Sequence, residues 1–200
     1  RALMEGRLSD AEAFMTEALR SGQEAESPNA PIFFGTQLFH LRHEQGRIDE
    51  LMAPMQKIVT DNPALPVFRI GISQIHALCD RREEARTSFE QVAARDFEDV
   101  PRDLHRIPML TSAAAVCAYL GDRRRAALLH QELVQHEGRV FVAGVATWWG
   151  GSIDRSLGCL EETLGQLDAA ISHYQSAAEL AEKAAADLLH AHSMCDLARA

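Results

Sequence analysis

Apolar residues recur along this chain at helical spacing, in blocks of a dozen or more positions separated by turn-forming residues. The clearest block runs from Gly165 to Leu180, "GQLDAAISHYQSAAEL", where Leu167, Ala170, Ile171, Tyr174, Ala177 and Ala178 fall at i, i+3, i+4, i+7, i+10 and i+11. Those positions share one face of an α-helix. Immediately upstream, Leu157, Leu160 and Leu164 form a second helical face. Gly165 ends that first helix, because a residue without a Cβ takes a left-handed backbone at little cost. Gly158 lies inside it, where glycine costs about 1 kcal/mol relative to Ala. Its missing side chain predicts close approach of the two helices, with Ala170 small for the same reason, so that dispersion and buried area recover the lost propensity.

Four other phrases repeat this helix: "GRLSDAEAFMTEALRS" from Gly6, "GRIDELMAPMQKIVTD" from Gly46, "DRREEARTSFEQVAAR" from Asp80 and "GDRRRAALLHQELVQH" from Gly121. Successive copies start 40, 34, 41 and 44 positions apart, a period that belongs to repeats of paired helices. Hairpins are expected over 1–24, 30–62, 66–95, 107–136 and 150–183, with an unpaired terminal helix over 185–200. The connectors Ser21 to Phe33, Arg95 to Pro108 and His136 to Ser152 hold much of the Pro and Gly. The third contains "VFVAGVATWW" and is too apolar for a plain loop; it is expected to lengthen the first helix of the fifth hairpin or to pack over the end of the fourth. The fold class predicted is all-α, a right-handed α-solenoid of about five hairpins in which each touches only its neighbours.

This pattern resembles the tetratricopeptide repeat, a helix-turn-helix unit of 34 residues with Leu-Gly in the first helix, a Gly at the turn, and Ala, an aromatic and Ala along the second. Leu157, Gly158, Gly165, Ala170, Tyr174 and Ala177 occupy those positions. Gly6, Ala11, Met15 and Ala18 match in the first copy, Ile72, Asp80, Ala85 and Phe89 in the third, and Ala113, Ala114, Gly121 and Ala126 in the fourth. The second departs, with Phe39, Leu51, Met55 and Ile58 where small or aromatic residues belong, although Pro63 fits the helix stop; bulkier residues should push its helices apart. The stretch "GSIDRSLGCLEETLGQLDAAISHYQSAAEL" with "LLHAHSMCDLARA" is similar to the C-terminal repeats of large bacterial regulators. In these an ATPase module precedes helical repeats fused to a LuxR-type helix-turn-helix or a nucleotide cyclase. The chain, opening on Arg1 and closing in mid-pattern, reads as a piece of such a protein.

Composition narrows the chemistry. Twenty Lys plus Arg against 29 Asp plus Glu leaves a net charge of −9, so there is no bulk attraction for nucleic acid or an anionic membrane. The longest apolar run is half the length of a spanning helix. Cys79, Cys117, Cys159 and Cys195 form no CxxC pair and read as buried reduced thiols of a cytoplasmic protein. Signatures of phosphate loops, zincins, α/β-hydrolases, dinucleotide folds and EF-hands are absent from the sequence. The expectation is a non-enzyme without cofactor or metal: His40 with His43, and His192 with Cys195, each supply two ligands where a closed zinc site takes four.

The resemblance implies a partner groove on the stacked first helices. It places Phe33, Thr36, His40 and His43 there from the second hairpin, Ile70 and Gln74 from the third, Thr111 and Tyr119 from the fourth, and Ser152, Arg155 and Glu162 from the fifth. This mixture suits a protein, a peptide or a small polar effector. The alternative is a structural spacer, or a homodimer closed through Ala184 to Ala200. Trp148 and Trp149, followed by two glycines, read as a ligand lid or as core; their apolar neighbours favour core, one ring filling the interior and the other capping a seam. Arg123, Arg124 and Arg125 read as a solvated turn.

Overall fold

The computed structural model describes residues 1–143 and 147–200. It is mostly helical, with ten α-helices and one two-stranded sheet among the described residues. Helices α1 (Leu8–Glu24), α2 (Ala30–Glu44) and α3 (Met52–Asp61) come first; a 3-10 turn at Ile48–Leu51 joins the last two. Three tight pairs follow: α4 (Pro66–Leu78) with α5 (Arg82–Ala93), α6 (Arg106–Leu120) with α7 (Arg123–Leu133), and α8 (Ile153–Leu164) with α9 (Leu167–Lys183). Helix α10 (Asp187–Arg199) closes the chain.

Local chemistry explains the pairs. Asp122 accepts a bond from the Arg125 N–H and starts α7, and Ser152 does the same for Asp154 at the start of α8. Gly165 ends α8 at φ +82°. A Cβ at Gly158 would lie 2.6 Å from the ring of Tyr174, so the expected close approach is real, and its partner is the aromatic ring rather than Ala170. The bulky second copy behaves differently: α3 packs on α4 rather than forming a tight pair with α2.

Helices α4, α6 and α8 lie side by side. The apolar interior is divided rather than central. Its largest part runs from Ile70 in α4 to Leu160 in α8, with smaller clusters around Phe39 and Ile75, around Met15 and Leu41, and around Ala181 and Leu189.

Four expectations are overturned. Of the two roles expected for the 136–152 connector, lengthening a helix is overturned, while packing on the fourth hairpin is met through β1 and Phe141: strand β1 (Val140–Ala143) pairs antiparallel with β2 (Trp148–Ser152), residues 144–146 lying outside the described part. Valine and aromatic residues followed by glycines suit a strand and a bulge better than a helix. The first copy has only a turn ahead of α1, not a first helix. Helix α10 is not unpaired, because it packs along α9. Nor are contacts confined to neighbours, since the Leu188 N–H donates to the Met4 carbonyl at 3.1 Å and Met4 packs with Ala181, Ala186 and Leu189. The two ends of the chain meet.

Candidate functional site

Six of the eleven predicted groove residues converge. His40 and His43 on α2, Gln74 on α4, Thr111 on α6, and Ser152 and Arg155 at the start of α8 line one cavity of about 180 Å³. Each helix contributes through one stripe: Pro108, Thr111, Ser112 and Ala115 on α6, and Ser152, Arg155, Ser156 and Cys159 at α8, stand at i, i+3, i+4 and i+7. Glu44, Ser112, Ser156 and Cys159 were missed, yet extending the helical period from the predicted residues would have reached them. Trp148, Leu189 and His192 close the cavity from β2 and α10; the tryptophan pair ahead of two glycines is singled out by the sequence, whereas no local pattern places Leu189 or His192 there.

The other five predicted residues lie elsewhere. Ile70 belongs to the core, at 2% exposure. Tyr119 donates its hydroxyl to Asp80 at 2.7 Å, with the Arg82 guanidinium over its ring, and ties two helix pairs together. Glu162 accepts from the Tyr174 hydroxyl at 2.9 Å and pairs with Arg199. Phe33 and Thr36 are half-buried on α2 outside the cavity, and the Thr36 hydroxyl bonds back to the Ile32 carbonyl.

Charge inside the cavity is compensated by the protein itself. Arg155 Nε donates to Asp196 at 2.7 Å, and Glu44 Oε2 lies 3.1 Å from His192 Nε2. The two histidines of α2 are held neutral. Burial, reinforced by the neighbouring His43, pushes His40 down to about 3. His43 is lowered chiefly by burial, Glu44 opposing and His192 and Arg155 adding to the effect. Burial also raises the Cys159 thiol, which keeps it from acting as a thiolate. Gln74, Ser112 and Ser156 have no hydrogen-bond partner among the described residues. The cavity therefore offers neutral imidazoles, hydroxyls, an amide and the terminal nitrogens of one arginine.

The tryptophans divide between two neighbourhoods, as successive strand residues must. Trp148 stacks on His40 with ring centroids 3.9 Å apart and planes at 9°, and packs with the α1–α2 cluster. Trp149 packs with Ala181, Ala186 and Leu189. Trp148 also walls a second cavity of about 400 Å³ toward Ala11, Phe14 and Met15 of α1.

Among the described residues no group of three His, Cys, Asp or Glu side chains is placed to hold a metal. His192 instead faces Glu44, and Cys195 is exposed rather than buried. The arginine run is not merely solvated: Arg123 caps the Leu164 carbonyl of α8, Arg124 pairs with Asp96 at 2.6 Å, and Arg125 bonds Asp122 and lies over Phe89. Among the described residues no helix is long and apolar enough to cross a membrane. No family model, curated protein or solved structure matches this chain.

Proposed function

We propose that this chain is a helical-repeat binding module: a right-handed, tetratricopeptide-like solenoid, closed by the contact between its two ends, that takes a peptide or a small polar effector in its groove, within a larger cytoplasmic bacterial signalling or transcriptional regulator. The observation that carries the reading is the convergence of unpartnered polar side chains from successive first helices, Gln74 on α4, Ser112 on α6 and Ser156 on α8, on one cavity. The three side chains are half-buried and still meet solvent, so a ligand exchanges their bonds to water for bonds of its own, a net gain of about 0.5–1.5 kcal/mol each. The volume sets the size of the occupant. At about 180 Å³ the cavity is smaller than the roughly 300–1,000 Å³ of drug-sized sites, so it admits a small metabolite or one side chain of a peptide while β2 is in place. A homodimer closed through α10 draws less support, because the side of α10 that faces α2 is already covered within the chain.

The test is a thermal-shift panel of free amino acids, mono- and disaccharides and nucleotides against the native chain and a Gln74→Ala, Ser112→Ala, Ser156→Ala triple variant. None of the three side chains holds the fold together, so the variant should melt near the native temperature. A ligand at a hundred times its Kd stabilises by about 2.7 kcal/mol, a shift of roughly 5–10 °C. That shift is expected in the native chain and absent in the variant. Its survival in the variant, or no shift from any class, would overturn the small-effector reading.

A further inference from the structure

Both strands of the ribbon border the groove, β1 through Phe141 and Ala143 and β2 through Trp148, Gly150 and Ser152, and β2 lies there as a bound peptide would. Its backbone is extended up to Gly151, which turns at φ +85°, its Trp148 ring stacks on His40, and the carbonyl of Thr147, just ahead of it, accepts from Gln37 Nε2 of α2 at 3.3 Å. We propose that β2 is an internal competitor for the groove, holding the seat of an extended partner peptide that carries an aromatic side chain. This rests on the groove reading above and names the partner's chemistry: a neutral stretch of extended backbone with a planar ring that stacks on the His40 imidazole.

Three features fit a competitor better than a fixed part of the core. A two-stranded ribbon is marginal by itself, and this one is held by the tryptophan rings at one end, by Phe141 along its length and by its base at the other. At the base, the Gly138 N–H donates to buried Asp154 at 2.7 Å and the Ile153 N–H to the Arg139 carbonyl at 2.9 Å. These contacts keep the ribbon attached whether or not β2 is seated. Along it, Val140 and Val142 are each 46% exposed, so the burial that β1 contributes comes through Phe141, which packs against the main core cluster. The pairing also slips between Phe141 and Val142, leaving Gly150 as an unpaired bulge residue against the Phe141 ring. The seat is chemically matched as well, since a neutral imidazole presents a flat face for stacking and its burial disfavours the charged form.

Competition of this kind lowers the apparent affinity for an outside peptide by the fraction of molecules in which the seat is vacant. Two substitutions raise that fraction by different routes. Trp148→Ala removes the ring from the seat. Gly150→Val leaves the helix-borne groove intact, but its Cβ would meet the Phe141 ring at 2.2 Å, which breaks the ribbon. The probe is a dye-labelled peptide of the chain's own sequence, TWWGGS (147–152), followed by fluorescence polarisation. Both variants should retain the native far-ultraviolet circular dichroism and bind the probe at least tenfold more tightly than the native chain. A TAAGGS peptide, or the further substitution His40→Ala, should abolish the gain. Equal affinity for native and variant chains, or no binding to either variant, would overturn the proposal. If a small ligand still binds in dependence on Gln74, Ser112 and Ser156, only the role of β2 falls; if that binding is absent too, the groove reading falls with it.

Discussion

A single methyl group at position 158 is enough to push two helices apart. An Ala Cβ there would sit 2.6 and 2.7 Å from two carbons of the Tyr174 ring, and the ring cannot swing aside because it is fully buried and its hydroxyl is bonded to Glu162. Gly158→Ala should therefore destabilise the chain by about 2 kcal/mol despite its better helix propensity. Gly35 is the control, a helical glycine whose added Cβ would meet nothing within 4 Å; Gly35→Ala should be neutral or stabilising by up to about 1 kcal/mol. Thermal denaturation of the two variants decides the matter, and equal melting temperatures would mean that the α8–α9 contact yields freely. The sequence announced the close approach at Gly158 but pointed to Ala170. A helical side chain leans toward the N-terminus, so the Tyr174 ring reaches over the turn that Ala170 begins. Spacing alone does not show that reach.

Element by element, the helices were legible because each carries an apolar stripe of the right period, and the ribbon was not, because an apolar run of ten reads equally as helix or strand. The glycine pair after Trp149 was the available signal: Gly151, at φ +85°, opposes a helix there. What binds α7, α8 and α9 together was also hidden. Glu161 is 3% exposed, and its two oxygens face His130 Nε2 of α7 at 3.0 Å and His173 Nδ1 of α9 at 2.6 Å. His130 and Glu161 belong to different repeats, and no local pattern pairs them. Glu161→Ala should cost about 2 kcal/mol, since it removes the acceptor of two part-buried imidazole N–H groups at once. Glu161→Gln should cost less. The amide oxygen keeps one bond, and its NH₂ can donate to the other ring in the alternative tautomer. Urea denaturation of both variants gives the comparison; equal midpoints would show that the carboxylate only fills space.

Taken whole, the molecule differs most from its repeat pattern where the ends of the chain meet, and there the pattern has nothing to say, because contacts between distant repeats leave no periodic trace. Trp148 joins the α1–α2 cluster, Trp149 joins the α9–α10 cluster, and Glu44 reaches His192 across the gap between them. The same junction holds His40 and His43 in neutral form. Their folded values lie below the ordinary 6.5, so as pH falls below about 6.5 the unfolded chain takes up protons that the folded chain refuses. The stability they contribute is complete above that pH and declines toward about 3, where His40 itself titrates. From pH 7 to pH 5 the loss from His40 alone is about 2 kcal/mol. Glu12, lowered from 4.5 by its bond to Arg42, and Glu162, lowered by bonds to Arg199 and Tyr174 against the opposing effect of burial, act in a more acidic range, whereas His76 of α4, also lowered by burial, shares this window with the junction histidines. Urea midpoints at the two pH values should show the loss in the native chain. His40→Phe, which keeps a ring against Trp148 but cannot take a proton, should remove the His40 share of it. Amide exchange should place the opening at Leu188 to His192, where α10 meets the turn at Met4, ahead of the α4–α7 core. An acid limb unchanged by His40→Phe, or exchange that rises first in α6, would mean that the junction is not where the protons enter.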